Sequence, residues 1–140
     1  MPVVLDTDVI VAAMRSPKGA SAEILRLADQ GRVRLLASVA LVLEYEAKCT
    51  QSEHCRAAGI SRQDALNFVD AIAALATPVE LHYFWRPLLR DPDDEMVLET
   101  AINGLAKAIV TFNRKDFGRV PARFGIQVLL PREAIWRLRT

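Results

Sequence analysis

Short apolar segments alternate with amphipathic segments along this chain, and that alternation limits its possible folds more than any other sequence feature. The apolar segments cover residues 3–5, 33–37, 78–81, 108–111 and 126–130. Strands that alternate with helices build a parallel sheet covered by helices. We therefore predict an α/β fold of three layers, α/β/α, with a parallel sheet of four to five strands. Pro78 cannot donate a ladder hydrogen bond, which favours an edge position for the third strand.

Polar residues in front of the amphipathic segments predict where the helices begin. Ser38 and Asp91 each precede a helical pattern and carry a side chain that commonly caps a helix, and Ser61 is predicted to start a further helix. For the helix after the first strand, Thr7 or Asp8 is the predicted cap. Parallel sheets bind ligands beyond the carboxyl ends of their strands, so the residues that follow the strands are the first candidates for a site.

The composition is that of one folded domain. The chain has 140 residues, of which 51% are hydrophobic and 25% are charged, so it can bury a core without disulfides or a structural metal. No apolar run approaches the length of a membrane span, and the amino terminus lacks the features of a signal peptide. We expect a single domain over residues 1–140 that is located in the cytoplasm.

The two cysteines, Cys49 and Cys55, are too few for a disulfide framework and are expected to be reduced thiols. His54 lies next to Cys55, but the spacing of the three residues matches no zinc motif. We therefore expect a surface cluster at a helix end, with a metal site as the weaker alternative.

Charge is unevenly distributed although the net charge is only +1. Residues 91–99 hold five acids and no base, and residues 111–140 hold seven bases against two acids. An acidic site within a basic surface suits a metal-dependent enzyme that acts on a polyanion. The alternative is that charges of both signs simply solvate helix faces.

Four acids fall where a site at the carboxyl edge of the sheet is expected. Asp6 follows the first strand, Asp116 follows the fourth, Asp94 lies in the first turn of a helix, and Glu44 lies in mid-helix. Carboxylates that converge raise one another's pKa unless a cation joins them. Hard oxygen ligands suit Mg²⁺ or Mn²⁺, and such ions promote hydrolysis of phosphate esters. Taken singly, each acid has an ordinary alternative, since it could cap a helix, form a turn or be solvated.

The sequence resembles the PIN-domain ribonucleases, and especially the VapC-type toxins of toxin–antitoxin pairs. Four segments carry the resemblance in the family's order and together span nearly the whole chain. They begin with the strand and acid at residues 3–10, and continue with Glu44-Tyr45-Glu46, with residues 90–101 around Asp94, and with residues 110–117 around Asp116. The closing strand and helix, residues 129–133, also fit.

The resemblance implies an endoribonuclease that requires Mg²⁺ or Mn²⁺, with an RNA substrate, a small antitoxin partner and a homodimeric assembly. The acids implied to be catalytic and to ligate the metal are Asp6, Glu44, Asp94 and Asp116. Supporting positions would be Thr7, Asp8, Asp91, Thr111 and Asn113, and the RNA backbone would lie along Arg114 and Lys115. The aromatic stretch Tyr83-Phe84-Trp85 could contact RNA or a partner, or could pack beside an edge strand.

Two positions depart from the family pattern. Asp8 stands where the family usually has Asn, and the fourth acid can lie at the position of either Asn113 or Asp116, of which we favour Asp116. The Asp6-Thr7-Asp8 segment also fits the opening motif of haloacid-dehalogenase-like phosphatases, with Asp6 as nucleophile and Asp8 as acid/base. A PIN-like module that binds without catalysis is a further alternative.

Overall fold

The computed structural model describes residues 1–84 and 88–139. Its strands are β1 (Pro2–Leu5), β2 (Arg34–Ala37), β3 (Thr77–Pro78), β4 (Ala108–Val110) and β5 (Gln127–Leu129). Its helices are α1 (Thr7–Arg15), α2 (Ala20–Asp29), α3 (Val39–Cys49), α4 (Ser52–Ala58), α5 (Arg62–Leu75), α6 (Pro92–Asn103), α7 (Arg114–Phe117) and α8 (Pro131–Arg139). A 3₁₀ turn covers Pro121–Phe124.

The five strands form one parallel sheet in the order β3-β2-β1-β4-β5, flanked by helices, as the alternating pattern predicts. β1 is central and pairs with β4 in a register that sets Leu5 opposite Val110. The chain moves to one side of β1 through β2 and β3, and to the other side through β4 and β5. The carboxyl ends of β1 and β4 therefore meet where the strand order changes direction, which is the usual place for a site in such a sheet.

The core is continuous across the central strands. Residues 3–5 of β1 and 108–110 of β4 are each no more than 2% exposed, so both faces of these strands are covered. A strand that is buried on both faces consists of consecutive apolar residues. This is why β1 and β4 could be predicted from the sequence. None of the helices in the described part of the chain is long and apolar enough to span a bilayer.

Two predicted helix caps, Ser38 and Asp91, are confirmed, and one prediction is wrong. The side chains of Ser38, Ser61 and Asp91 accept backbone N–H groups at the starts of α3, α5 and α6. The prediction of Thr7 or Asp8 as the first cap was wrong, because α1 begins at Thr7 and Asp6 is its cap. The chain passes from β1 into α1 without a loop, so the last extended residue already caps the helix.

The prediction of a surface cluster at Cys49 and Cys55 was also wrong. Both cysteines are free and buried, and the Cys55 thiol lies 3.3 Å from the carbonyl oxygen of Cys49. The short helix α4 packs back on α1 and α3 and covers them. β3 lies at the edge as predicted but is only two residues long, with one further bond from the Val79 N–H to the Ala37 carbonyl.

The aromatic stretch leaves β3 along an exposed path. Asn103 accepts the N–H groups of His82 and Tyr83 at 3.0 and 2.9 Å and donates to the Tyr83 carbonyl at 2.9 Å. The Tyr83 and Phe84 side chains are 64% and 57% exposed, which leaves both possible roles of the stretch open. Trp85 lies outside the described residues.

We expect Tyr45→Phe to lower the free energy of unfolding by about 1–3 kcal/mol, measured by urea denaturation. The Tyr45 hydroxyl is fully buried and donates to the Leu5 carbonyl, so its loss leaves a buried acceptor without a partner. The chain's other tyrosine provides the control. Tyr83→Phe should change stability by less than about 0.5 kcal/mol, because that side chain is 64% exposed. Equal losses in the two variants would contradict the role assigned to the Tyr45 hydroxyl.

Candidate active site

Asp6 joins the ends of the two central strands. It is 7% exposed, and its N–H donates to the Val110 carbonyl at 2.9 Å, which extends the β1–β4 pairing by one residue. Its Oδ1 accepts the Thr7 N–H at 2.8 Å, and its Oδ2 accepts the buried Thr111 hydroxyl at 2.7 Å. Burial raises the pKa of Asp6, while these two hydrogen bonds act in the opposite direction. Asp6 is thus a helix cap and a buried acid at the same time.

Asp8 ties α1 to the loop that follows β4. Its Oδ2 accepts the Phe112 N–H and the Asn113 side-chain amide, each at 3.2 Å. Its Oδ1 is buried and has no hydrogen-bond partner among the described residues. Burial, with a smaller contribution from the charge of Asp6, raises the pKa of Asp8 to about 7. The Asn113 side chain thus ties the loop after β4 to Asp8.

The start of α6 brings a second group of acids to the same edge of the sheet. Asp91 caps α6 by accepting the Asp93 N–H at 2.8 Å. Asp94 lies in the first turn of α6 and is 9% exposed. Asp91, Asp94 and Asp116 line a cleft of about 440 Å³, which Arg90 and Lys115 also border.

The acids of the cleft act on one another through their charges. Burial raises the pKa of Asp94 to about 7, and the charges of Asp6, Asp91 and Asp116 add to the effect. The charges of Asp116 and Asp91 likewise raise the pKa of Asp6. The structure therefore brings together Asp6, Asp94 and Asp116, three of the four acids that the sequence singled out.

Glu44 lies farther along the same acidic surface. Burial raises its pKa, with Asp93 as the next cause and Asp91 as a weaker one, so Glu44 faces the first turn of α6. Its carboxylate also lies 3.9 Å from the Lys48 ammonium group, one turn along α3. Glu44 therefore lies near Asp91 and Asp93 at the start of α6. Its carboxylate pairs with Lys48, which belongs to the same helix, α3.

The chemistry of the donor set fits a divalent cation. Asp6, Asp94 and Asp116 offer carboxylate oxygens, the ligands that Mg²⁺ and Mn²⁺ prefer, and Asp8 lies close enough to Asp6 for the charge of Asp6 to raise its pKa. The pKa values of Asp6, Asp8 and Asp94 are raised first by burial and then by neighbouring carboxylates, an effect that a bound cation would offset. Within residues 1–84 and 88–139, no three His, Cys, Asp or Glu side chains already stand in an arrangement that could hold an ion.

Of the two basic residues predicted to contact RNA, only Lys115 borders the cleft. The Arg114 guanidinium instead pairs with Glu133 at 3.0 Å. The Glu133 carboxylate also accepts the Leu130 N–H at the start of α8, so Arg114 helps to hold the chain end against the site.

Sequence reasoning missed Glu95 as a residue that shapes the cleft. Glu95 is 5% exposed, and one of its carboxylate oxygens accepts the N–H groups of both Leu88 and Leu89. These two leucines line the cleft wall. The position of Glu95 in the first turn of α6 was a sequence signal, because an acid there can accept hydrogen bonds from nearby backbone N–H groups. Which N–H groups it accepts depends on how the segment before α6 folds, and the sequence does not show this.

Comparison with known families agrees with this geometry. The family model described as PIN domain matches residues 2–115 of this chain. The chain therefore belongs to the PIN domain family, which is a family of nucleases. The match covers β1 with Asp6, the acids of α6, and the loop after β4. No curated protein matches the chain significantly.

Solved structures show the same fold at low sequence identity. A chain in the crystal structure of VapBC2 from Rickettsia felis bound to a DNA fragment from their promoter is similar, with a TM-score of 0.65 and 17% identity. That match covers 91% of this chain and 97% of the other. A chain of VapBC-1 from nontypeable Haemophilus influenzae gives a TM-score of 0.64 at 17% identity, covering 94% of this chain and 99% of that one.

We expect the metal-free protein to lose stability as the pH rises from about 4 to about 8. A raised pKa means that the folded state holds its proton more tightly than the unfolded chain, in which an Asp titrates near 3.9. The stabilisation is therefore complete below pH 4 and disappears as Asp8 and Asp94 ionise near pH 7. At pH 8, Asp94→Asn should raise the free energy of unfolding by about 1–2 kcal/mol, after allowance for solvent screening in the open cleft.

The matched control is Asp70→Asn, which changes an exposed acid on α5. It should leave the pH dependence unaltered. Thermal or urea unfolding of the three proteins in EDTA, between pH 4 and 8, measures the effect. An Asp94→Asn variant that is less stable than the wild type at pH 8 would contradict the electrostatic argument.

Proposed function

We propose that this protein is an endoribonuclease that uses Mg²⁺ or Mn²⁺ to hydrolyse RNA phosphodiester bonds. The observation that carries the proposal is the convergence of three acids from distant segments: Asp94 and Asp116 line one cleft, and the charge of Asp116 raises the pKa of both Asp94 and the buried Asp6. Unpaired negative charge of this kind is costly and is typical of sites that bind a cation.

In this proposal Asp6, Glu44, Asp94 and Asp116 hold the cation directly or through water. The bound cation would supply an activated water and would neutralise charge on the phosphodiester. The chain's own residues have separate roles. Thr111 holds the Asp6 carboxylate through its hydroxyl, and Asp91 fixes the first turn of α6 on which Asp94 lies.

The loop after β4 positions the fourth acid. Asp8 accepts two hydrogen bonds from Phe112 and Asn113, and the Asn113 N–H donates to the Thr111 hydroxyl at 3.0 Å. Asp116 follows three residues later at the cleft wall. Asp116 is therefore our choice for the fourth ligand, and Asn113 positions the loop.

We further propose that the protein is the toxin of a toxin–antitoxin pair, located in the cytoplasm, with a small antitoxin as partner and a homodimeric assembly. The resemblance to VapC-type toxins supports this proposal, as does the similarity in fold to chains from two VapBC structures. The membership in the PIN domain family favours the nuclease over the phosphatase alternative based on Asp6 and Asp8.

The first expected result is cleavage of end-labelled structured RNA in Mn²⁺ or Mg²⁺, and its loss in EDTA. Asp94→Asn should reduce the rate by about 100-fold or more, because an acid that stabilises the reacting centre is removed. The folded state of Asp94→Asn is checked by circular dichroism. Asp70→Asn carries the same chemical change on an exposed part of α5 and should cleave at the wild-type rate.

Cleavage that survives both EDTA and Asp94→Asn would overturn the assignment of the site. The same preparations are tested on a chromogenic phosphate monoester. Rapid hydrolysis that Asp8→Asn abolishes would establish the phosphatase instead. Calorimetry with Mn²⁺ addresses the third alternative, since a folded protein that binds RNA but no metal would be a binding module.

Lys115→Gln should weaken RNA binding more than Arg114→Gln does. Lys115 borders the cleft, whereas Arg114 is engaged with Glu133. Loss of one phosphate contact lowers affinity for all sequences and reduces the slope of log K against log salt concentration by about 1. Fluorescence anisotropy with single-stranded RNA, in EDTA and at several salt concentrations, measures both quantities. A larger loss of RNA affinity in Arg114→Gln than in Lys115→Gln would show that Arg114, and not Lys115, contacts the RNA backbone.

A further inference from the structure

The acidic cleft has apolar lining residues that take no part in the proposed cation site. Leu88, Leu89 and Val120 line the cleft, and each of these residues is only partly buried. We call these three residues the apolar wall. The volume of the cleft is about 440 Å³, which lies within the range of about 300–1,000 Å³ for pockets that bind small organic molecules. The cleft therefore has room for an organic ligand beside the acids.

The two leucines of the apolar wall are held by the helix that carries Asp94. The N–H groups of Leu88 and Leu89 both donate to one carboxylate oxygen of Glu95, which is 5% exposed. Hydrogen bonds to a carboxylate are among the stronger ones in proteins. Glu95 follows Asp94 directly in α6, so the helix that places an acid at the cleft also fixes the backbone of the leucines.

Two segments of the chain line the cleft, and each contributes the same three kinds of group. Residues 88–94 and residues 115–120 each provide one base, at least one acid and apolar side chains. The acids suit a cation, and the bases, Arg90 and Lys115, suit phosphate groups. Apolar side chains suit neither of these ligands. A nucleotide accounts for all three kinds of group, because it joins a phosphate to a base whose flat faces pack on apolar side chains.

Gly118 leaves the border of the cleft open beside Val120. Its φ of 54° and ψ of −135° form a backbone conformation that residues with a side chain rarely adopt. A Cβ at this position would meet no other atom within 4 Å. The backbone conformation, and not crowding, therefore calls for glycine, and no side chain at this position obstructs the cleft.

We propose that the apolar wall binds a nucleobase of the substrate RNA, next to the phosphodiester that reacts at the acids. The face of the base packs on the wall, and the adjoining phosphates lie near Arg90 and Lys115. Charge favours this ligand over an apolar peptide, because both of these bases are exposed at the border of the cleft. The inference rests on the proposed nuclease function, and it adds a base-binding subsite that Glu95 positions.

The first test compares the affinity of the protein for two oligomers by fluorescence anisotropy in EDTA, with the integrity of the oligomers checked on a gel. One oligomer is a short single-stranded RNA, and the other has the same ribose phosphates but no bases. The wild-type protein should bind the RNA about five- to tenfold more tightly, because only the RNA can place a base on the apolar wall. Equal affinities for the two oligomers would overturn the proposal.

Replacing both leucines, Leu88→Ala with Leu89→Ala, should weaken RNA binding about fivefold and leave affinity for the abasic oligomer unchanged. The slope of log K against log salt concentration should also stay the same, because no charge is lost. Val120→Ala is a smaller change on the other segment, and it should weaken only RNA binding, about twofold. An equal loss of affinity for both oligomers would show a merely structural role and overturn the subsite.

The matched control is Leu75→Ala, which makes the same chemical change away from the cleft. Leu75 is 37% exposed and ends α5 just before β3 begins, so it lies at the amino edge of the parallel sheet. This variant should bind both oligomers as the wild type does. A loss of RNA affinity in Leu75→Ala as large as in the double variant would overturn the assignment to the apolar wall.

Glu95→Ala tests the positioning of the wall, because it removes the acceptor of both N–H groups and leaves the leucine side chains intact. It should abolish most of the preference for RNA over the abasic oligomer and raise KM for cleavage about fivefold, with little change in kcat. Glu95→Gln keeps a side-chain oxygen that can accept both N–H groups, so it should keep the preference and the KM. Circular dichroism checks that both variants are folded.

A full preference for RNA in Glu95→Ala, or its loss in a folded Glu95→Gln, would overturn the positioning role of Glu95. Wall variants that keep the preference for RNA would assign the three side chains to the core or to a protein partner, and would overturn the subsite.

The subsite and the nuclease can fail separately. A protein that prefers RNA to the abasic oligomer through the apolar wall, but never cleaves RNA, would support the subsite and overturn the nuclease. Metal-dependent cleavage by a protein without this preference would support the nuclease and overturn the subsite.

Discussion

The buried carboxylate of Asp6 is the point on which the arrangement of this protein depends. A carboxylate in this position requires hydrogen bonds, and it obtains them from the first turn of α1 and from Thr111 at the end of β4. The same residue therefore ends β1, begins α1 and fixes the neighbouring strand end. The parallel register that sets Leu5 opposite Val110 is what allows one side chain to reach both partners.

Negative charge accumulates around this point. Asp8 and Asp94 have pKa values raised to about 7, first by burial and then by neighbouring acids. Selection for stability alone would not place these groups together, and such conflicts are characteristic of functional sites. The nearby bases are arranged at the borders, where Lys115 lines the cleft and Arg114 is held by Glu133. This distribution is what the proposed polyanionic substrate and divalent cation require.

Predictions from the sequence succeeded where the signal was local. Ser38 and Asp91 cap helices as expected, because a cap depends on residues within one turn. They failed where distant elements decide the environment. Asp6 replaced Thr7 or Asp8 as the first cap because the strand runs straight into the helix, and the cysteines are buried because α4 folds back on α1.

The sequence by itself determined the α/β class, the positions of the strands along the chain and the identity of the acids that follow them. These features depend only on hydrophobic periodicity and on where the acids occur in the chain. Only the tertiary structure decided which of these acids act on one another. The charges of Asp6 and Asp116 raise the pKa of Asp94, while Glu44 faces Asp93 and Asp91 and lies near Lys48. The role of Asn113 as a partner of Asp8 and the hydrogen bonds of Glu95 to Leu88 and Leu89 also emerged only there. The physical reason is that charge interaction and burial depend on distance in space, which separation along the chain does not specify.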